Sequence, residues 1–198
     1  MRRTQAQRNE TTTADLVRTA GTLFGRDGFA ATSLEAVADA AGLTKGAVYH
    51  HFAGKTDLFR AVFVRQEQGL AEHIGAAAAD AGNPRSALRT GCAAFLQACL
   101  DPAVRQIILL DGPAVLGWQE VRAIEDDYLV ALLRQGLTRA HPTGDVDART
   151  HLLLGALCEA GMLLARDPDA LPALAAEVDI LISAFTGDHP LRTSPAGP

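Results

Sequence analysis

Apolar residues recur every three or four positions along most of the chain, which is the spacing that lines one face of an α-helix. Alanine and leucine dominate the 48% apolar content, and aromatic residues and runs of β-branched residues are few. We therefore predict an all-α fold. The periodic stretches, which polar residues, glycine and proline separate, are residues 12–28, 32–50, 55–79, 84–99, 102–108, 118–132, 148–166 and 171–185.

The segment 32–55 predicts two short helices that meet at a tight turn. Thr32 followed by Glu35 is the pattern of a capping box, which places the start of the first helix at the threonine. Gly42 is expected to end that helix, because glycine adopts a left-handed backbone conformation without strain. Thr44 is expected to cap the second helix.

Two capped helices joined by a glycine turn form a helix-turn-helix, whose second helix enters the major groove of DNA. The alternative is an ordinary helical corner within an all-α core. The second helix covers residues 45–50, and its spacing leaves one set of residues facing outward. These are Thr44, Lys45, Gly46, Tyr49 and His50.

Residues 36–58 resemble the DNA-binding signature of the tetracycline-repressor (TetR) family of bacterial transcriptional regulators, and the likeness continues without a gap from about Thr12 to Phe63. The matching positions are Ala40, Ala41, Gly42, Gly46, Tyr49, His51, Phe52, Lys55 and Leu58. The resemblance implies an N-terminal three-helix helix-turn-helix DNA-binding domain, residues 1–60. A C-terminal helical ligand-binding and dimerisation domain would then occupy residues 61–187.

The resemblance also implies roles for single residues. Lys45 would reach a base edge or a phosphate, Tyr49 would hydrogen-bond a phosphate, and His50 would lie near the groove. Lys55 would meet a phosphate at the start of the next helix, where the helix dipole favours an anion. Thr32 is expected to make a further phosphate contact. Gly46 is costly within a helix, which suggests a close approach of the backbone to DNA.

The distribution of charge agrees with local DNA contact. The net charge is −5, yet residues 1–60 carry eight basic and six acidic side chains, and the rest of the chain carries the negative excess. Residues 1–11 are expected to form a flexible arm in which Arg2, Arg3 and Arg8 could reach DNA, or else a solvated tail. The proline-rich tail, residues 188–198, is expected to be disordered.

The helical body offers a mostly apolar ligand site. A helix from Lys55 to about Ala79 would link this body to the DNA-reading domain. Asp111-Gly112-Pro113 is expected to end a helix that begins at Pro102, and residues 118–132 are expected to form one helix. The candidate ligand-binding residues are Phe95, Cys99, Leu109, Trp118, Glu125, Tyr128, Glu159 and Met162.

Each of these candidates could equally be plain core. Glu125 falls within an apolar stripe, where a carboxylate is costly unless it meets a basic partner or a ligand. Glu159 similarly interrupts the surface of a later helix. Both acids favour a ligand with a cationic or hydrogen-bond-donating end.

The last two helices, residues 148–166 and 171–185, are rich in leucine and predict half of a four-helix bundle that a second copy completes. The alternative is packing within one subunit. Together with the resemblance, this predicts a homodimer that binds a palindromic double-stranded DNA operator and represses transcription. The resemblance implies that a small, mostly apolar effector would release it.

Other classes of protein are less well supported by the sequence. No catalytic motif is present, so we predict no enzyme and no cofactor. Adjacent His50 and His51 point in different directions on a helix and would chelate a metal poorly. A redox sensor built on Cys92 and Cys99 is the second reading, although seven residues along one helix separate the thiols too far for a disulfide. The absence of a membrane span or secretion signal predicts a cytoplasmic protein.

Overall fold

The structure is a computed structural model that describes residues 5–187, with side chains from Glu10 onward. Helices account for nearly all of this part of the chain, which contains no β-strand, and the all-α prediction is confirmed. The helices are α1 (Gln5–Ala31), α2 (Leu34–Ala40), α3 (Lys45–His51), α4 (Lys55–Ala78), α5 (Pro84–Ala98), α6 (Pro102–Val104), α7 (Gly112–Leu116), α8 (Trp118–Asp127), α9 (Leu129–Ala140), α10 (Val146–Leu164) and α11 (Leu171–Thr186). A π-helical segment, Arg105–Asp111, joins α6 to α7, and a 3-10 turn, Pro168–Ala170, precedes α11.

Helix α1 begins earlier than its sequence pattern predicts. The backbone is already helical at Gln5, seven residues before the start of the predicted stretch 12–28. From Gln5 onward the predicted flexible arm, residues 1–11, is therefore helical. Residues 1–4 and the predicted disordered tail, residues 188–198, lie outside the described residues. Gly28 ends the regular helix as predicted, because its φ of 79° breaks the helical conformation.

The turn between α2 and α3 has the predicted glycine geometry. Gly42 has a φ of 68°, and its N–H donates to the Asp39 carbonyl while that of Leu43 donates to the Ala38 carbonyl. These two bonds satisfy carbonyl groups that the end of α2 would otherwise leave free. Thr44 caps α3 as predicted, since its hydroxyl accepts from the Ala47 N–H at 3.2 Å.

Two hydrophobic clusters form the core, and α4 runs through both. The head cluster joins α1–α4 to the π-helical segment and α8. The body cluster joins the second half of α4 to α5, α9, α10 and α11. The boundary predicted at residue 60 thus falls inside a helix whose Phe59 and Phe63 both lie in the head cluster. Head and body therefore share packed side chains as well as a connecting helix.

Two predicted helix boundaries in the body are wrong. Asp111-Gly112-Pro113 does not end a helix, because the π-helical segment carries the chain into α7, which stops at Gly117 with a φ of 82°. Gly112 allows this packing, since a Cβ there would overlap the ring of buried Phe63. The predicted helix 118–132 is broken at Tyr128, whose φ of −124° and ψ of −90° separate α8 from α9.

The long apolar helices near the C-terminus have the predicted extents, as α10 and α11 show. In the described part of the chain, no single helix has both the length and the apolar character needed to cross a membrane. By length and composition alone, one bent pair among the described helices passes the same test, α5 together with Pro102–Leu116, which meet at 92°.

Candidate DNA interface and ligand cavity

Helix α3 presents a continuous exposed face. Its inner side is anchored by Val48 and Phe52, which are buried in the head cluster. The outward-facing residues are all exposed, and 49% of the Tyr49 surface is accessible. A Cβ added at Gly46 would meet nothing closer than the Thr44 hydroxyl at 3.9 Å, so that part of the face is open. The exposed set consists of Thr44, Lys45, Gly46, Tyr49 and His50.

Lys45 is the first residue of α3 and has two neighbours. Its ammonium group forms an ion pair with Glu35 of α2 and lies 5.9 Å from the centroid of the Tyr49 ring. The hydrogen bond between Lys45 and Glu35 raises the pKa of Lys45 and lowers the pKa of Glu35. Both side chains are exposed, so the pair is weakly held and Lys45 can exchange Glu35 for a DNA group.

Lys55 has a different environment from the one predicted. Its ammonium group donates to the carbonyl oxygens of Phe29 at 2.8 Å and Thr32 at 2.9 Å. It also lies 4.2 Å from the centroid of the Phe29 ring. This side chain therefore ties the end of α1 to the start of α4. A phosphate contact by Lys55 would require it to leave these carbonyl groups.

Thr32 is not the helix cap, so the predicted capping box is wrong. The Thr32 side chain is buried and donates its hydroxyl to the Gly28 carbonyl at 2.9 Å. That position makes a phosphate contact by its hydroxyl unfavourable. The cap of α2 is Ser33, which is exposed and accepts from the Ala36 N–H at 3.1 Å. Sequence reasoning missed it because Thr32 and Ser33 are adjacent and both residue types cap helices.

The end of α3 is also fixed from α1. The hydroxyl of Thr13 lies 3.0 Å from Nδ1 of His51, within hydrogen-bonding distance. His50, by contrast, faces solvent. The two adjacent histidines therefore differ in role, and no cluster of three metal-ligating side chains occurs among residues the structure describes.

A cavity of about 430 Å³ opens in the body between α4, α5, α9 and α10. Its wall is mainly apolar, and among the described lining residues Arg139 alone is charged. Small residues such as Gly75, Ala78 and Gly91 leave the space that larger side chains would fill. Of the predicted ligand residues, only Phe95 lines this cavity.

The other predicted ligand residues do not meet at one cavity. Trp118 is 60% exposed and lies outside the cavity wall, with the Arg122 guanidinium 4.3 Å from the centroid of its ring. Glu159 is exposed on α10. Cys99 and Leu109 press against Gly161 of α10, within 3 Å of where its Cβ would stand. Tyr128 and Met162 are half-buried outside the cavity wall.

Glu125 is buried and has a basic partner, Arg122, which is one of the two alternatives that the sequence left open. Its carboxylate accepts from Arg122 at 3.0 Å. Burial nevertheless raises its pKa, and the Arg122 guanidinium offsets only part of that effect. The alternative, a direct ligand contact by Glu125, is not supported by this pairing.

Glu67 of α4 is the functional candidate that sequence reasoning missed. It is fully buried, and neither carboxyl oxygen has a hydrogen-bond partner among the described residues. Burial, with a contribution from the Glu125 charge, raises the pKa of Glu67 to about 8. A signal was available, since Glu67 interrupts the apolar stripe of Phe63, Leu70 and Ile74 at helical spacing.

The thiols are poorly placed for redox chemistry. Cys92 and Cys99 are buried in the body cluster, and burial raises the pKa of each to about 12. Cys158 is similarly affected, with a pKa of about 12. At these pKa values the thiols stay protonated at neutral pH, and the thiolate is the reactive form.

Known regulators match both parts of the chain. Residues 16–62 match the family described as bacterial regulatory proteins, tetR family, and residues 85–187 match the tetracyclin repressor-like C-terminal domain. The TetC protein of transposon Tn10, from Escherichia coli, is 28% identical over 170 residues, which are 86% of this chain and 77% of that protein. The probable acrEF/envCD operon repressor of Escherichia coli is 37% identical over 78 residues, 38% of this chain and 35% of the repressor.

A solved structure covers nearly the same length. It is a TetR-family transcriptional regulator from Pectobacterium atrosepticum, which superposes with a TM-score of 0.71 at 30% sequence identity. The similarity covers 92% of this chain and 95% of that one. Head and body are thus both similar to those of a single solved regulator.

Proposed function

Because this chain belongs to the TetR family of bacterial transcriptional regulators, we propose that it is a repressor that binds a palindromic DNA operator as a homodimer and is released by a small, mostly apolar effector. Members of the family are DNA-binding regulators rather than enzymes. The exposed face of α3 is the observation that supports DNA binding. It presents the Lys45 ammonium group, the Tyr49 phenol and the backbone at Gly46 on one short helix.

One such helix makes too few base contacts for selective binding. Two copies held by a twofold axis would contact half-sites one or more helical turns apart and so require a palindrome. In this arrangement Lys45 contributes to recognition of the base sequence. Tyr49 and the capping residues Ser33 and Thr44 contact phosphates and so fix the position of α3 along the DNA. The DNA-binding set proposed from the geometry thus contains Ser33 in place of Thr32.

The homodimer is supported by the outer faces of α10 and α11. Leu152 of α10 is 63% exposed and Ile180 of α11 is 59% exposed. Glycine and alanine residues at Gly155, Ala176 and Ala184 are exposed beside them and would allow a second pair of helices to approach closely. An exposed apolar surface that two adjacent helices form together is typical of a protein–protein interface.

Regulators of this family bind small molecules as well as DNA. The mainly apolar cavity beside α4 supports the same behaviour in this chain. In the dimer, the orientation of α4 sets the distance between the two DNA-binding heads. A ligand in the cavity weakens DNA binding if it binds more tightly to an orientation of α4 in which that distance does not match the operator. The loss of DNA affinity then equals the difference in ligand affinity between the two arrangements.

The experiment that tests the proposal is selection of bound sequences from random double-stranded DNA with the purified full-length protein. We expect a palindromic consensus whose half-sites lie one or more helical turns apart. Recovery of a single half-site would contradict binding as a twofold dimer. Failure to enrich any sequence at low salt would contradict the DNA-binding function itself.

A further inference from the structure

The cavity in the body is elongated, and its two ends have different environments. It follows α5 from Asn83 to Phe95, which is twelve residues or about 18 Å along the chain of the helix. Phe95 and Leu157 at the inner end are buried, whereas Asn83 and Arg139 at the outer end are exposed. A bound molecule would therefore hold one end in the core and keep the other in contact with solvent.

The packing of α9 on α5 places Arg139 at the outer end. A Cβ at Gly136 would lie 3.1 Å from the Leu88 side chain, so the two helices touch at these residues. From this contact, α5 extends outward to its first residue, Pro84, and α9 extends outward to Arg139. Both residues line the cavity, and together with Asn83 they form its mouth.

The polar side chains of the cavity wall, other than the Cys92 thiol, lie at this outer end. Arg139 alone is charged among the described residues that line the cavity. Gln135 lies one helical turn before Arg139 on the same face of α9. Asn83 caps α5 by accepting from the Ser86 N–H at 2.9 Å, which leaves its amide NH2 group to donate. The mouth therefore offers a cation and hydrogen-bond donors.

The Arg139 guanidinium is available to a ligand. Within the part of the chain that the structure describes, it has no ion-pair partner. By contrast, Arg134 on the same helix is paired with Asp147 at 2.7 Å. A guanidinium presents a planar fork of N–H donors that matches the two oxygens of a carboxylate. Arg139 can therefore bind a carboxylate without first breaking an ion pair within the protein.

We propose that the cavity binds a carboxylic acid with an apolar chain, and that Arg139 pairs with its carboxylate at the mouth. The chain lies in the apolar interior, where each buried methylene group adds to the affinity. The Asn83 amide donates a further hydrogen bond to the carboxylate. That the bound acid acts as an effector rests on the proposed function, whereas the binding site stands on the cavity and its mouth.

The charges of the wall select this class over other molecules with an apolar chain. An ammonium end would be repelled by Arg139, and none of the described lining residues carries a carboxylate to pair with it. Glu125 and Glu159, the acids that favour a cationic ligand in the sequence, lie outside the wall. A hydroxyl end could accept a hydrogen bond but would gain no charge attraction. Because the mouth is open, a carboxylate there keeps part of its hydration and avoids the cost of full burial.

Three eight-carbon probes that differ only in the end group test the assignment: octanoate, 1-octanol and octylamine. Their binding to the full-length protein is measured by titration calorimetry at pH 7 and low salt. We expect octanoate to bind at least about tenfold more tightly than octylamine. In Arg139→Gln the affinity for octanoate should fall by about tenfold, whereas octanol should bind as before. Arg139→Lys should recover part of the loss, because lysine keeps the charge but not the fork.

Matched variants separate the two ends of the site. Arg134→Gln changes an arginine of α9 outside the cavity wall and should bind all three probes as the native protein does. Gly75 lines the cavity and has open space at its Cβ position, so Gly75→Leu should weaken octanoate and octanol alike. Gly69 has the same open space but lies outside the wall, and Gly69→Leu should weaken neither probe.

Several results would overturn the assignment. Octylamine that binds as tightly as octanoate, or octanoate affinity unchanged in Arg139→Gln, would remove Arg139 from recognition. Octanoate binding that depends on Arg139 but not on Gly75→Leu would place the probe on the surface beside the mouth. Absence of measurable octanoate binding would also contradict the site.

The selected operator keeps this proposal distinct from the proposed function. Octanoate that binds through Arg139 and lowers operator affinity would support both. Octanoate that binds through Arg139 but leaves operator affinity unchanged would support the site and contradict only its role in regulation.

Discussion

The free energy of unfolding should depend on pH through Glu67, and replacing this residue with glutamine should remove that dependence. In the folded protein burial raises the pKa of Glu67 to about 8, whereas in the unfolded chain it returns to its ordinary value of 4.5. The folded state then binds the proton more tightly than the unfolded state. Ionisation of Glu67 therefore costs no stability below pH 4.5, and its cost grows as the pH rises from 4.5 to 8.

The size of the effect follows from the shift. Each unit of pKa difference corresponds to about 1.4 kcal/mol, so at pH 7 ionisation of Glu67 destabilises the native protein by at most about 3 kcal/mol. Small movements of α4 that admit water will reduce this value. We therefore expect Glu67→Gln to be more stable than the native protein by about 1–2 kcal/mol at pH 7.5, or roughly 2–8 °C in melting temperature.

Urea unfolding followed by circular dichroism at pH 5, 6, 7 and 8 measures the difference directly. The gap between variant and native protein should be small at pH 5 and should widen steadily to pH 8. Glu72→Gln, which changes an exposed acid on α4, should show no widening. A constant offset between the Glu67→Gln and native curves over this range would refute the placement of Glu67 as an unpartnered buried acid.

Four further substitutions test the head, the interface and the packing between α4 and α7. Lys45→Ala and Tyr49→Ala should each weaken binding to the selected operator by about tenfold in an anisotropy titration, without loss of helicity. Ile180→Glu should convert the dimer to a monomer in sedimentation analysis and reduce operator affinity with it, because it places a charge in the apolar interface. Gly112→Ala should destabilise the protein by about 1–3 kcal/mol in urea unfolding, because the new methyl group overlaps the buried Phe63 ring.

Each of these changes has a matched control. Glu35→Gln removes the acid beside Lys45, so it should maintain or strengthen DNA binding, and weaker binding would contradict the assigned geometry. Leu110→Glu places the same charge on an exposed apolar residue outside α10 and α11 and should leave the dimer intact. Gly69→Ala adds a methyl group to open space on α4 and should stabilise the helix by up to about 1 kcal/mol.

The parts of this protein that the sequence predicts well are those set by neighbouring residues. The turn at Gly42 and the cap at Thr44 depend on a few consecutive positions, and their geometry agrees with the prediction. Even here, local patterns do not decide between adjacent alternatives, since Ser33 rather than Thr32 caps α2. The outward face of α3 follows from helical spacing alone, whereas its contacts with DNA stay a prediction.

Long-range packing determines what local patterns cannot. Lys55 reaches carbonyl groups more than 20 residues earlier in the chain, at the end of α1. The cavity arises where small side chains of α4 and α5 meet α9, and helical periodicity does not reveal which small residues face one another. Tyr128 breaks a helix whose apolar spacing continues across the break. Trp118 is a large aromatic residue of the kind that often lines ligand pockets, yet its side chain lies on the surface.

The shared head cluster limits how a ligand in the body can re-aim the head. Besides α4, the π-helical segment holds the head, since Asp111 accepts from the Phe29 N–H at 2.7 Å and Ile107 packs in the head cluster. Arg60 adds an ion pair from α4 to Glu120 of α8. The head and these segments thus form one packed unit, and rotating α3 alone would break its core. We expect the motion of lowest cost to lie between the two clusters. On α4 the boundary between them is the helical turn around Glu67, whose carboxyl oxygens have no hydrogen-bond partner among the described residues.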